Sequence, residues 1–468
     1  MGTNLRELLI ELDRSKPRRL RAQIEDELRD AVRSGRLPPG AALPSSRALA
    51  TDLGITRGVV VDAYDQLIAE GYLLARTGAG TIVNPASRRD SLESPTSQRI
   101  DRIDVDFYGG EPDLELFPRA AWARATRAAM QTMTARDIAY GNVAGIPTLR
   151  AALADYLGRV RRVDTTPDRI VVTSGFNHAF NLVSEVLRSS GRDLFAVEDP
   201  GYDLTRNGLE LLRIRHLGIA VDDDGIDVDA LRRTQARVAV VTPAHQSPTG
   251  VVLTAERRHE LIDWAGAVDG FVIEDDYDAE YRYDRRPIGS LQGLAPDRVI
   301  YIGTMSKTLA PGVRIGWMVV PPTLVDRLNA LRRVHDGSTS GILQATFANF
   351  LYNGDLDRHL RRSRHVYRTR RDGLIAALSR WLPDAETQGI AAGLHVFVNL
   401  PVGTDEIEVV DRAVAAGVRV YPLAQYRVPN GPPLPPALVL GYGSVTPDQS
   451  DRGIRVLADV LADLQARR

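Results

Sequence analysis

The chain has 468 residues, about three times an ordinary domain length, which excludes a single small domain and predicts two or three folding units. Its composition, 44% hydrophobic and 25% charged, is that of folded protein and excludes wholesale disorder. The absence of cysteine excludes disulfides, iron–sulfur clusters and cysteine nucleophiles. A net charge of −1 names no partner by itself.

No run approaches the roughly 18 apolar residues that cross a bilayer, and the opening MGTNLRELLIELDRSK lacks the basic-then-apolar order of a signal peptide. The chain therefore reads as cytoplasmic, without a membrane partner. In chain order, apolar residues at helical spacing predict a helix over Leu20 to Val32, stopped by LPPG at Leu37 to Gly40. A short helix follows from Ser46 to Asp52. Gly54 makes a tight turn, and Thr56 caps a third helix running to about Glu70, with Val59, Val60, Ala63, Tyr64 and Leu67 as its inner face and Gly71 as its stop. Tyr72 to Arg76 and Gly80 to Asn84 are short extended stretches around Thr77-Gly78-Ala79, which is hairpin chemistry.

This order is the layout of a winged DNA reader. The helix from Thr56 enters the major groove with Arg57 leading, and the wing carrying Arg76 and Thr77 touches an adjacent groove or the backbone. Between Arg14 and Arg89 thirteen basic residues face eight acidic ones, an excess that suits phosphate. A small helical protein-interaction domain would show the same periodicity. Residues 85–104, rich in Pro, Ser and Arg without an apolar period, form a linker between a domain over 1–84 and another over 105–468.

Beyond the linker, β-rich runs alternate with helices. The strands are Ile170 to Thr173, Leu194 to Glu198, Val238 to Thr242, Phe271 to Asp275, Val299 to Gly303 and Arg314 to Val320; Asn177 to Arg188 and Ala255 to Ala265 are helical. That alternation predicts an α/β domain on a mostly parallel sheet, with its site at the carboxyl ends of strands. Thr173-Ser174-Gly175-Phe176-Asn177 is a strand end running into a helix, where backbone amides and the helix dipole receive a phosphate; an ordinary strand–helix turn has the same look. Phe271-Val-Ile-Glu-Asp-Asp-Tyr277 delivers three carboxylates and a phenol. No His or further acid stands at metal-ligand spacing, so no metal is expected; a single carboxylate can instead pair with a protonated heterocyclic nitrogen.

Lysine occurs only at Lys16 and Lys307, against 57 arginines. GC-rich coding accounts for the arginines. A lysine that persists in that background marks a place where an amine must lose its proton and attack a carbonyl, which guanidinium cannot do. Lys307 follows a strand, with Ser306 beside it and Arg314 seven residues on, a hydroxyl–amine–guanidinium set that suits a phosphate and a Schiff base. Phosphate turn, ring carboxylate and amine are together the requirements of pyridoxal 5′-phosphate.

LPSSRALATDLGITRGVVVDAYDQLIAEGYLLARTGAGTIV, Leu43 to Val83, resembles the winged helix-turn-helix of the GntR family of bacterial regulators, and in particular its MocR/GabR branch. The shared features are the LPSSRxLA opening, the AYxQLxAEGYL helix end and the GxGT wing. The resemblance implies DNA contacts at Arg47, Arg57, Arg76 and Gly80, with Thr77 beside them in the wing. Asp62, mid-helix where relatives often carry a basic or small residue, departs from the pattern.

From about Val105 onward the chain resembles the fold-type I aminotransferases, which implies a mostly parallel central sheet, a small C-terminal α+β subdomain and pyridoxal 5′-phosphate as cofactor. Ser174, Gly175, Phe176 and Asn177 match the phosphate loop, and Tyr202 the aromatic that stacks on the ring. Asp275 matches the acid facing the ring nitrogen, Tyr277 the phenol near the ring hydroxyl, and Ser306, Lys307 and Arg314 the phosphate and Schiff-base positions. Tyr140 matches a residue that reaches the neighbouring subunit's phosphate. In Thr242-Pro-Ala-His-Gln-Ser-Pro-Thr-Gly250, Ser247 replaces the asparagine of the enzymes, a form the MocR branch shares. Val439 stands where amino-acid aminotransferases offer an arginine to the substrate carboxylate, and Arg427 is the candidate substitute toward an effector.

The resemblance implies a transcriptional regulator that senses pyridoxal 5′-phosphate or an amino compound through internal and external aldimines at Lys307, with at most vestigial transaminase activity. Its partners would be a double-stranded operator, the small-molecule effector and a second copy, in a homodimer with readers exchanged head-to-tail. Two alternatives stay open: a catalytically active aminotransferase with an accessory DNA-binding domain, and a regulator whose large domain is only a dimerisation scaffold.

Overall fold

The computed structural model describes residues 12, 20–76, 80–85, 103–283, 288–429 and 431–466. The chain divides into two compact units, Met1–Ile100 and Asp101–Arg468.

The first unit holds helices Leu20–Arg33, Ser46–Leu53 and Arg57–Ala69 and an antiparallel pair of strands, Leu73–Arg76 and Gly80–Val83, with Leu73 opposite Val83. Helical spacing puts Ile24 and Leu28 on one face and Val60, Ala63, Tyr64 and Leu67 on another; they meet in one core closed by Leu73 and Val83. Each large apolar side chain so buried contributes about 1.5–3 kcal/mol relative to exposure. Ser45 caps the second helix, its hydroxyl accepting from the Ala48 amide at 3.2 Å, and Gly54 reverses the chain at φ 62.

Thr56 stands at the start of the third helix, but its hydroxyl makes no capping bond. Its carbonyl accepts the Val59 amide instead, and Arg57 Nε donates to Ser46 Oγ at 3.3 Å. Val59, expected on the inner face, is only half-buried. Thr77 and its turn, and the linker from 86 to 102, lie outside the described residues.

The second unit is built on an eight-stranded sheet. In spatial order its strands are Ile170–Thr173, Gly316–Val319, Val299–Thr304, Phe271–Asp276, Val238–Val241, Leu194–Asp199, Arg215–Asp222 and Gly225–Ile226. Gly316–Val319 and Gly225–Ile226 run against their neighbours, and the other six run one way. The central strands are buried along their whole length and apolar at their starts because helices cover both faces, as a parallel sheet requires; Phe271–Asp276 turns acidic only over its last three residues. Phe176–Ser189 packs with Pro322–His335 on one side, and Ala255–Ala267 lies on the other.

The smaller part of this unit is a four-stranded sheet in the order Thr387–Gln388, His395–Asn399, Ala437–Gly441 and Tyr421–Pro422. Helices Asp355–Trp381, Glu406–Ala415 and Pro447–Ala466 pack with it. Among the described residues, no helix is long and apolar enough to cross a membrane.

Candidate functional site

Residues in a strand point to alternate faces, and Phe271–Asp276 uses this to separate its three acids. Glu274 accepts the Leu291 and Gln292 amides at 2.9 Å each, and Asp276 takes Arg161 Nε at 2.6 Å and the Tyr301 hydroxyl at 2.7 Å. These two hold the fold. Asp275 faces the opposite way, into a cavity of about 260 Å³ at the carboxyl ends of the parallel strands. Burial and the neighbouring Asp276 push its carboxyl well above the usual range, and Lys307 opposes the shift. Its Oδ1 is buried without a hydrogen-bond partner among the described residues.

Lys307 leaves the end of Val299–Thr304 and donates from Nζ to the Gly110 carbonyl. Burial draws its ammonium below the usual lysine value, against the pull of Asp275, Asp278 and Glu111. A lysine so placed offers a free amine at lower pH than a solvated one. Arg314 closes the turn Pro311–Val313 in the left-handed conformation, φ 53. Gly175, at φ 108, starts helix Phe176–Ser189, and a Cβ added there would lie 3.6 Å from Arg314 Nη1. Ser306 and Thr304 share a hydroxyl bond of 2.9 Å beside them. Helix N-terminus, hydroxyl and guanidinium thus converge on one end of the cavity, an arrangement that receives a phosphate.

The structure brings Phe176, Asn177, Tyr202, Ser247, Asp275, Tyr277, Ser306, Lys307 and Arg314 to this one cavity. Tyr202 approaches Phe176 with ring centroids 6.2 Å apart. The Tyr277 hydroxyl lies 3.1 Å from both the carbonyl and Nδ1 of His245, and that ring is held by Asp278 at 2.9 Å. Three expected residues do not line the cavity: Ser174 and Gly175 form the turn behind it, with the Ser174 amide bonded to His178 Nδ1 at 3.1 Å, and Tyr140 is fully exposed. Arg427, the candidate effector arginine, is likewise elsewhere. Its guanidinium is paired with buried Asp199, Nε to Oδ1 at 2.8 Å and Nη2 to Oδ2 at 3.2 Å, with a further bond to the Pro432 carbonyl. A fork committed to a buried acid is withdrawn from a ligand.

Sequence reasoning missed Tyr108, Glu111, Asp203, Tyr426 and His395, which line the same cavity. His395 donates from Nε2 to the Pro248 carbonyl at 3.0 Å, and burial with His245 nearby holds it down at about 4, so it is neutral. The Gly109-Gly110 pair ahead of Glu111 was a legible turn signal; nothing near His395 announced it.

Pyridoxal 5′-phosphate fits these residues. The orphaned Asp275 Oδ1 matches a protonated ring nitrogen, Lys307 an aldehyde, Tyr277 and Ser247 the ring hydroxyl, and the Arg314 end a phosphate. On the first unit, Arg47, Arg57, Arg76 and Gly80 are exposed, and the three arginines have no salt bridge among the described residues. Asp62 is exposed and adds its field to Arg21.

Residues 103–454 match the family described as aminotransferase class I and II, and residues 20–83 match bacterial regulatory proteins, gntR family. The chain is 32% identical to the probable rhizopine catabolism regulatory protein MocR of Rhizobium meliloti, over 98% of this chain and 97% of that one. It is 34% identical to the pyridoxine biosynthesis transcriptional regulator PdxR of Corynebacterium glutamicum, over 94% and 95%. Among solved structures, the kynurenine aminotransferase of Pyrococcus horikoshii is similar with a TM-score of 0.72 and 27% identity, covering 78% of this chain and 92% of that one.

Proposed function

We propose that this chain, which belongs to the MocR/GabR-type subfamily of GntR regulators and carries an aminotransferase class I and II domain, couples binding at Lys307 to DNA affinity. The observation that carries the reading is the joining, in one chain, of a reader whose exposed Arg47, Arg57 and Arg76 have no salt bridge among the described residues to a cavity where a half-buried amine shares the lining with an unsatisfied carboxylate. Pyridoxal 5′-phosphate supplies an aldehyde that condenses with a primary amine, Lys307 first and an effector amine in exchange.

The chain's own groups do the rest. Asp275 would hold the ring-nitrogen proton, Arg314 and Ser306 the phosphate, and Tyr202 would cover the ring, with Tyr277 and Ser247 placed to bond the ring hydroxyl. A ligand amine held beside Lys307 would make new contacts there and leave the Lys307 amine free to be protonated, and both would change the relative free energies of two domain arrangements. About 1 kcal/mol of such differential binding shifts operator affinity roughly five-fold. We read the working form as a homodimer: paired half-sites are the habit of such readers, and the fully exposed Tyr140 is available to a second copy's phosphate site.

The test uses DNA flanking the chain's own coding sequence, with bare and cofactor-loaded protein. Affinity differing by five-fold or more between the two, and falling about ten-fold in Arg57→Ala with the cofactor absorbance intact, supports the reading. Equal affinity in both states contradicts it. The likeness to a kynurenine aminotransferase keeps a second reading, an enzyme with an accessory reader. Turnover of an amino donor and keto acid at ordinary enzyme rates, about 1 to 1,000 per second, would select it.

A further inference from the structure

The cavity has two ends of opposite character. Arg314 stands at the end beside Gly175, where a phosphate is received, and Lys307 is the amine at the reacting position. The other charged side chains of the lining are acids: Asp275, which faces the ring, and Glu111 and Asp203. Neither Glu111 nor Asp203 is in a salt bridge among the described residues. Asp203 receives only the Leu204 amide, at 2.9 Å, and Glu111 is exposed. Burial raises the Tyr108 phenol pKa, and Glu111 and Asp203 add to that rise, so the fields of both acids reach the same wall.

His395 lies on the same lining, more than nine-tenths buried. Because its Nε2–H is given to the Pro248 carbonyl, its bare Nδ1 is an acceptor, without a partner among the described residues. The two nearby guanidiniums are committed elsewhere. Arg427 is locked to Asp199, and Arg206 donates to the Gln425 carbonyl at 3.4 Å and lines a separate, smaller cavity. A carboxylate entering beyond Lys307 therefore meets two carboxylates, two phenols and a ring nitrogen, and no fork to hold it. A cationic group meets acceptors.

We propose that the effector is a primary amine with a second ammonium at its far end, a diamine or polyamine rather than an amino acid. One amine engages the reacting position, and the other lies against Glu111, Asp203 and His395 Nδ1. The inference rests on the reading of Lys307 as the cofactor's anchor and adds the chemistry of what that site admits.

Putrescine and γ-aminobutyrate share the reacting amine and nearly the same chain length and differ in far-end charge. Each is titrated at one pH into full-length, cofactor-loaded protein while the visible absorbance and the DNA affinity are followed. Putrescine should give half its effect at about ten-fold lower concentration. The double variant Glu111→Gln, Asp203→Asn should narrow that ratio to about two-fold, since a polar isostere keeps the volume and removes the charge. A γ-aminobutyrate response at equal or lower concentration overturns this inference alone, as does indifference of a properly loaded protein to both amines. A wild-type protein that forms no Lys307-dependent absorbance overturns the underlying reading and this inference with it.

Discussion

In a chain whose cationic side chains are almost all arginine, the side chain at 307 is an amine, and its surroundings give a reason: desolvation there draws its proton affinity below that of a solvated lysine, against the pull of Asp275. The same economy governs the acids of Phe271–Asp276, two satisfied by the fold and one left open. We expect Asp275→Asn to relieve repulsion with Asp276, so that the bare protein melts no lower than wild type, while cofactor affinity falls about ten-fold or more. Melting curves with and without cofactor decide this, and a full cofactor-induced rise in the variant would remove Asp275 from the ring nitrogen. Glu198 gives a pH prediction. Burial raises its carboxyl to about 7 despite bonds from Thr242 and Gln246, so the folded state holds the proton more tightly than the unfolded chain. Its contribution is complete below the ordinary carboxylate range and is lost as pH rises through about 7. Glu274 and Glu280 carry the same sign, so bare wild type should lose stability across that window and Glu198→Gln should lose less; an unchanged slope would contradict the assignment. At this scale the sequence exposed what short motifs hold, Ser306 to Arg314 and Asp275 to Tyr277. It misled at Arg427, because nothing in the local pattern shows that Asp199, 228 positions earlier, claims the guanidinium.

The turn between strand Ile170–Thr173 and helix Phe176–Ser189 shows how elements place the phosphate end. Gly175 takes a conformation that side chains avoid, and Gly316 on the adjacent strand approaches it so closely that an added Cβ would sit 2.8 Å from the Gly175 Cα and 2.9 Å from the Gly303 carbonyl. Gly316→Ala should therefore cost about 1–3 kcal/mol in denaturant unfolding and weaken cofactor binding together. Normal affinity in a destabilised variant would separate the turn from the site. Strand and helix alternation made this part of the unit legible, down to the ends of Ile170–Thr173. Strand direction was not legible: periodicity is the same for Gly316–Val319 whether it runs with or against its neighbours. The four-stranded sheet was reached only through family resemblance, since strands of two residues such as Thr387–Gln388 and Tyr421–Pro422 carry no period to read. His395 therefore entered the cavity unannounced.

Among the described residues, the hydrophobic core of the first unit shares no residue with the cores of the second, which predicts separable failures. Leu67 is wholly buried in the reader, so Leu67→Ala should cost that unit about 2–5 kcal/mol and abolish DNA binding, while the cofactor spectrum stays as in wild type. A spectrum lost along with DNA binding would show that the larger unit depends on the smaller for its fold. The proposed coupling rests on the cofactor anchor, and the sequence makes that anchor easy to locate, because Lys16 and Lys307 are its only lysines. The direct measurement is to load the purified protein with pyridoxal 5′-phosphate, reduce it with borohydride, and locate the added mass by peptide mass spectrometry. The account predicts a phosphopyridoxyl group on Lys307 in close to every chain. An unmodified Lys307, or modification confined to Lys16, would contradict it.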